Sequence, residues 1–124
     1  SRMSSGQIET AIAEHPGVSE CAVVGARDEL KGQRPYAIVV PEVAYAERVG
    51  ELATEIGDLV RRRVGPIAAL GGVSVVPALP KTRSGKIVRR CLRQILDGDD
   101  PDVPPTIENP AVVTDLTVRL ASGR

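Results

Sequence analysis

The residues best equipped for chemistry lie between Leu79 and Ile87. Lys81, Arg83 and Lys86 place three cations within six residues, interleaved with Thr82, Ser84 and Gly85. Gly85 permits a backbone with positive φ, or close approach of a ligand to the main chain. Lys86 beside it presents a compact, movable point charge. The pattern predicts a mobile polar loop that delivers one ammonium into a partner's cleft and stabilises anionic oxygens there. A phosphate-binding P-loop would need a glycine five residues before Gly85 and Ser or Thr after Lys86. Pro80 and Ile87 occupy those positions, so only the Gly-Lys pair survives and that motif is excluded.

The loop sits in a wider electrostatic anomaly. Lys and Arg total 16, as do Asp and Glu, so the net charge is zero. Yet Leu59 to Leu96 holds nine bases, from Arg61, Arg62 and Arg63 to Arg89, Arg90 and Arg93, and no acid. Such a window repels itself unless an anion visits it or acids from elsewhere fold against it. A phosphate-bearing partner and a plain solvated face both satisfy that demand. With two Tyr, no Phe and no Trp, stacking of nucleic-acid bases on an aromatic platform is poorly supported.

Other candidates point away from chemistry. Cys21 and Cys91 stand 70 residues apart in apolar context, which reads as buried thiols in a reducing compartment rather than a disulfide framework. Two Cys and one His without close spacing make no zinc site, so no metal is expected in this chain. His15, in His-Pro-Gly, reads as a helix-end or surface residue. Asp28 and Glu29 read as loop surface. No apolar run approaches the roughly 20 residues that span a bilayer, and no secretory signal is visible. Together these predict a cytoplasmic protein with no membrane partner.

The elements that must position the loop follow from patterning. Ser4 with Gln7 forms a capping-box pattern, and Ile8, Ala11 and Ile12 follow at helical spacing up to Pro16-Gly17. Val18 to Gly25 and Pro35 to Val40 read as strands that pair antiparallel across a polar loop, Ala26 to Gln33. An amphipathic helix is expected from about Ala46 to Val64, stopped by Gly65-Pro66. Val73 to Val76 reads as a third strand, Pro80 to Lys86 as the loop, and Val88 to Leu96 as a helix. Asp97 to Pro105, with three prolines and several Asp, reads as an arm. Asn109-Pro110 places a cap residue before a proline at the first helical position, opening a last helix to about Ala121. The order gives an α+β fold, a small three-stranded sheet flanked by helices. The expected division is 1–98 as the lobe and 99–124 as an acidic, proline-rich arm with a terminal helix packing on it.

Leu79-Pro-Lys-Thr-Arg-Ser-Gly-Lys86 resembles the last core motif of the AMP-forming acyl-CoA synthetases, within the adenylating enzyme superfamily. Arg2-Met-Ser-Ser-Gly-Gln-Ile-Glu9 resembles the end of that family's hinge-proximal motif. His15 to Gly25 and Glu29-Leu-Lys-Gly32 are similar to parts of its mobile C-terminal lobe. Val64-Gly-Pro-Ile-Ala68 and Thr106-Ile-Glu-Asn-Pro110 resemble the short-chain branch, the acetyl-CoA and propionyl-CoA synthetases. The resemblance covers about residues 2 to 98 and continues more loosely through the arm.

The resemblance implies a two-step ligase. A short-chain carboxylate, acetate or propionate, attacks the α-phosphate of ATP, and the thiol of CoA then displaces AMP after the lobe rotates. Lys86 matches the lysine of the first step, with Ser84 and Gly85 supporting its loop. Arg2 matches an arginine near the nucleotide phosphates, Ser4, Ser5 and Gly6 lie near the pantetheine path, and Arg61 matches an arginine at the phosphate end of CoA. The N-terminal lobe, with most of the ATP and acid pockets, lies outside this sequence, as would the ligands of the Mg2+ expected with ATP. Lysine acetylation at Lys86, by an acetyltransferase and a deacetylase, is a further implication. The competing readings are the equivalent lobe of an adenylating enzyme that uses a carrier-protein thiol, and a stand-alone basic binding module.

Overall fold

The computed structural model describes residues 4–30, 32–65 and 70–121. They fall into two compact units, Ser1–Pro77 and Ala78–Arg124. The compositional boundary at 98/99 lies inside the second unit.

The first unit begins with helix α1, Ser5–Ala13. Ser4 caps it through the expected reciprocal box. The Gln7 N–H donates to Ser4 Oγ at 3.2 Å, and the Ser4 N–H donates to Gln7 Oε1 at 2.9 Å. Two orphan donors of the first turn are thereby satisfied. Strand β1, Val18–Asp28, pairs antiparallel with β2, Gly32–Pro41. This corrects the expected loop at 26–33. Ala26, Arg27 and Asp28 pair with Arg34, Gln33 and Gly32, so the ladder runs on to a tight hairpin. Main-chain pairing does not depend on side-chain polarity, so composition cannot separate a polar strand end from a loop.

A short 3-10 turn, Val43–Tyr45, precedes helix α2, Val49–Arg63. The helix therefore starts three residues later than the apolar spacing indicated. Strand β3, Gly72–Val75, returns parallel to β2, giving sheet order β1-β2-β3. A parallel return needs a crossover of about this length, and α2 supplies it. Ile8 and Ile12 of α1, Leu52, Ile56 and Val60 of α2, and Val23, Ala37 and Val39 of the sheet form one buried cluster. The α+β architecture read from the sequence is the observed one.

The second unit holds helix α3, Arg89–Leu96, and helix α4, Pro110–Ala121. Cys91, Leu92, Ile95 and Leu96 are the buried residues of α3, and Val113, Leu116 and Leu120 those of α4. Gly98, at φ +79°, ends α3. Its N–H donates to Ile95 O at 3.1 Å and that of Asp99 to Gln94 O at 2.9 Å, the paired bonds of a Schellman stop. Among the described residues, no helix is long and apolar enough to cross a membrane. Neither cysteine forms a disulfide. Cys91 is buried, as read from its context, and burial pushes its thiol pKa up, whereas Cys21 is only half-buried.

Candidate active-site hairpin and basic helix end

Residues 79–88 do not form the open loop read from their polarity. Lys81 and Ile87 make an antiparallel bridge, and the Thr82 N–H donates to Lys86 O at 2.9 Å. The Gly85 N–H closes a turn onto Thr82 O at 2.8 Å, and Gly85 sits at φ +86°. A tight turn followed by a left-handed residue is the bulged form of a three-residue hairpin loop, and glycine is the residue that enters it without a Cβ clash. The Lys86 N–H reaches Thr82 Oγ1 at 3.2 Å, and Thr82 Oγ1 meets Ser84 Oγ at 2.9 Å. Thr82 is thus the hub of the turn, a role its type alone did not signal. Lys86 leaves the bulge exposed, and its ammonium has no hydrogen-bond or ion-pair partner among the described residues.

The arm holds the other side of this hairpin. Thr82 bridges Ile107 antiparallel, the Arg83 N–H donates to Thr106 O at 3.1 Å, and the Glu108 N–H donates to Lys81 O at 2.8 Å. Asn109, expected to cap α4 with its side chain, spends it on the hairpin instead. Its Oδ1 accepts the Lys81 N–H and its Nδ2 donates to Leu79 O, both at 3.0 Å. Sequence reading missed this because the bond spans 28 residues and leaves no local pattern.

The second cationic group, Arg61, Arg62 and Arg63, occupies the last turn of α2, where the helix dipole favours positive charge. Two of the three are paired. Arg61 bonds Asp58 and Arg63 bonds Glu14. In the second unit Arg90 meets Asp102 at 3.5 Å. Acids from outside the basic window therefore answer part of it. Arg62, Arg83, Lys86 and Arg93 have no such partner among the described residues.

The remaining predicted residues are placed as follows. Ser84, Gly85 and Lys86 share the hairpin. Ser4, Ser5 and Gly6 share the exposed start of α1. Arg61 belongs to the same unit, but the α2 terminus meets α1 at Glu14, the end opposite Ser4. Arg2, Lys31 and the stretch Pro66 to Ala69 lie outside the described residues. His15, read as a helix-end or surface residue, does serve the helix end, but it is mostly buried rather than on the surface, its side chain 10% exposed. Nδ1 accepts the Gly17 N–H at 2.8 Å, so Nε2 carries the proton toward Glu55 at 2.6 Å. Its ring stands edge-on to Tyr45, which carries the Arg48 guanidinium on its face. No group of three or more potential metal ligands occurs among the described residues.

Residues 7–86 match the family model described as the AMP-binding enzyme C-terminal domain. The chain is 46% identical over 116 residues to an acetyl-coenzyme A synthetase of Wolinella succinogenes, covering 90% of this chain and 18% of that protein. It is 42% identical over 117 residues to a mitochondrial acyl-CoA synthetase short-chain family member B of Dictyostelium discoideum, covering 94% and 17%. Among solved structures, the Brucella canis acyl-CoA synthetase superposes with a TM-score of 0.69 at 35% identity, over 76% of this chain and 17% of that one. The chain thus spans less than a fifth of the length of these relatives.

Proposed function

Since the chain belongs to the AMP-binding enzyme C-terminal domain family, we propose that it is the C-terminal lobe of an AMP-forming ligase joining a short-chain carboxylate to CoA. In the first step a carboxylate oxygen attacks the α-phosphorus of ATP and pyrophosphate leaves, giving an acyl-adenylate. Two anions must meet, and the Lys86 ammonium orients the carboxylate and offsets their repulsion. In the second step the CoA sulfur attacks the acyl carbonyl, the thiol proton is lost, and AMP departs with the bonding pair. Arg61 then meets the phosphate end of CoA, exchanging Asp58 for it. Ser4, Ser5 and Gly6 border the pantetheine path, and Arg2 faces the nucleotide phosphates. Lys86 serves the first step and Arg61 with Ser4, Ser5 and Gly6 the second, so the lobe rotates between them.

The observation that carries this reading is the Lys86 ammonium itself. It stands on a hydrogen-bonded hairpin, exposed, with no anion of its own among the described residues. Mg2+ enters only as the companion of ATP, with ligands outside this chain. The division into a lobe, 1–98, and an appended arm and helix, 99–124, belongs to the same proposal. So do a cytoplasmic setting, supported by two cysteines without a disulfide, and control of Lys86 by reversible acetylation, which would remove its charge.

The test is an assay of the full-length enzyme with acetate or propionate, ATP and CoA. Stoichiometric AMP, pyrophosphate and thioester are expected, with none from residues 1–124 alone. Thioester formed only on a carrier-protein thiol would move the chain to a different branch. AMP formation by the isolated chain would overturn the reading.

A further inference from the structure

We infer that residues 106–109 act as a third strand that sets the position of Lys86, and that Asn109 is its key positioning residue. The inference rests on the reading of Lys86 as the adenylation residue. A two-stranded hairpin is marginal on its own, whereas a third strand gives it independent stability. Here the strand carrying Lys81 to Arg83 is the central one. On one side Thr82 and Pro80 bond the Lys86 strand, through Thr82 N–H to Lys86 O and Val88 N–H to Pro80 O, each at 2.9 Å. On the other side Arg83 and Lys81 bond Thr106 and Glu108. Ile107, between those two arm residues, is 8% exposed and anchors the arm.

The ladder should end after Glu108. The next main-chain donor would be residue 110, and Pro110 has no N–H. The Asn109 side chain supplies what the proline lacks. Its amide imitates a peptide group, accepting from Lys81 and donating to Leu79, and so extends the pairing to the base of the hairpin. Leu79, at the point where the chain enters the hairpin, is 1% exposed. Loss of the Asn109 amide therefore leaves a buried segment's carbonyl unpaired and frees the central strand at its root. Lys86 is tied to that strand through Thr82, so its ammonium shifts with it.

The experiment compares Asn109→Ala, Lys86→Ala and the double variant in the full-length enzyme. Each is read in two half-reactions: ATP–pyrophosphate exchange, and thioester formation from preformed acyl-adenylate and CoA. Because displacement of a reacting group by about 1 Å can cost as much as 10²-fold, Asn109→Ala is expected to lower exchange by about tenfold or more. Thioester formation should stay close to wild type. In the Lys86→Ala background, Asn109→Ala should add no further loss, since its effect passes through Lys86. Equal loss in both half-reactions, which includes simple misfolding, would make Asn109 a fold stabiliser and overturn the inference. Unchanged exchange in Asn109→Ala, with exchange lost in Lys86→Ala, would overturn the positioning role alone. Undiminished exchange in Lys86→Ala would instead overturn the reading of Lys86 on which it rests.

Discussion

Two groups of three cations, Arg61 to Arg63 and Lys81, Arg83 and Lys86, are treated in opposite ways. Arg61, Arg62 and Arg63 close a helix whose dipole welcomes them, and Asp58 and Glu14 take up two of the three. In the hairpin the hydrogen bonds go to the main chain, while Arg83 and Lys86 are left without an acid. The helix end uses its charge partly for its own stability. The hairpin holds its backbone by other means and keeps charge in reserve. Cation density alone does not mark a candidate site; what distinguishes the hairpin is a fixed backbone beside unspent charge.

The largest effect is expected from Lys86→Ala in the full-length enzyme. Removing one oriented transition-state donor costs about 10²–10³ in rate, and acyl-CoA formation should fall by that factor. A loss below about threefold would place Lys86 among the solvated cations.

Arg61→Glu should act more weakly and on a different constant. The side chain is 60% exposed, so screening keeps the effect modest, and a tenfold change corresponds to about 1.4 kcal/mol. The expected outcome is a rise of roughly this order in the KM for CoA, with ATP–pyrophosphate exchange unchanged. Arg61→Glu also sets a carboxylate against Asp58, so the melting temperature should be followed in parallel. An unchanged KM would leave Arg61 with Asp58 as its sole business.

Gly85→Ala tests whether the hairpin backbone is as fixed as its bonds indicate. Forcing an L-residue into the left-handed region costs roughly 1–2 kcal/mol. Nothing stands within 4 Å of where the added Cβ would lie, so the cost is purely conformational. An unfolding free energy lower by that amount is expected from chemical denaturation, and no change would mean the turn adopts another form. The smallest effect belongs to Arg63→Gln. Its pair with Glu14 is half exposed on both sides, and such pairs contribute about 0–1 kcal/mol. A larger loss of stability would show that the helix end is more than a solvated surface.

Much of this was legible in the residues. The Ser4–Gln7 box, the stripe of Ile8, Ala11 and Ile12, and the buried face of α2 are local patterns, and local patterns survive folding. Tertiary pairing was not legible. The reach of β1 to Asp28 depends on partners in β2, and the parallel placement of β3 depends on the crossover. Lys86 was singled out because glycine, lysine and flanking polarity lie side by side. Its supports were missed because they come from Thr106 to Asn109, twenty or more residues on. His15 looked like a helix-end residue and serves the turn through Gly17, but Glu55, forty residues away, draws it inside.

The central claim is that Lys86 acts in one half of the reaction only. The direct measurement supplies the Lys86→Ala enzyme with preformed acyl-adenylate and CoA and follows release of AMP and thioester. The account predicts a rate close to wild type, alongside an ATP–pyrophosphate exchange reduced by about 10²–10³. An equal loss in both would contradict it, because Lys86 would then support the fold or both conformations rather than the meeting of carboxylate and phosphate.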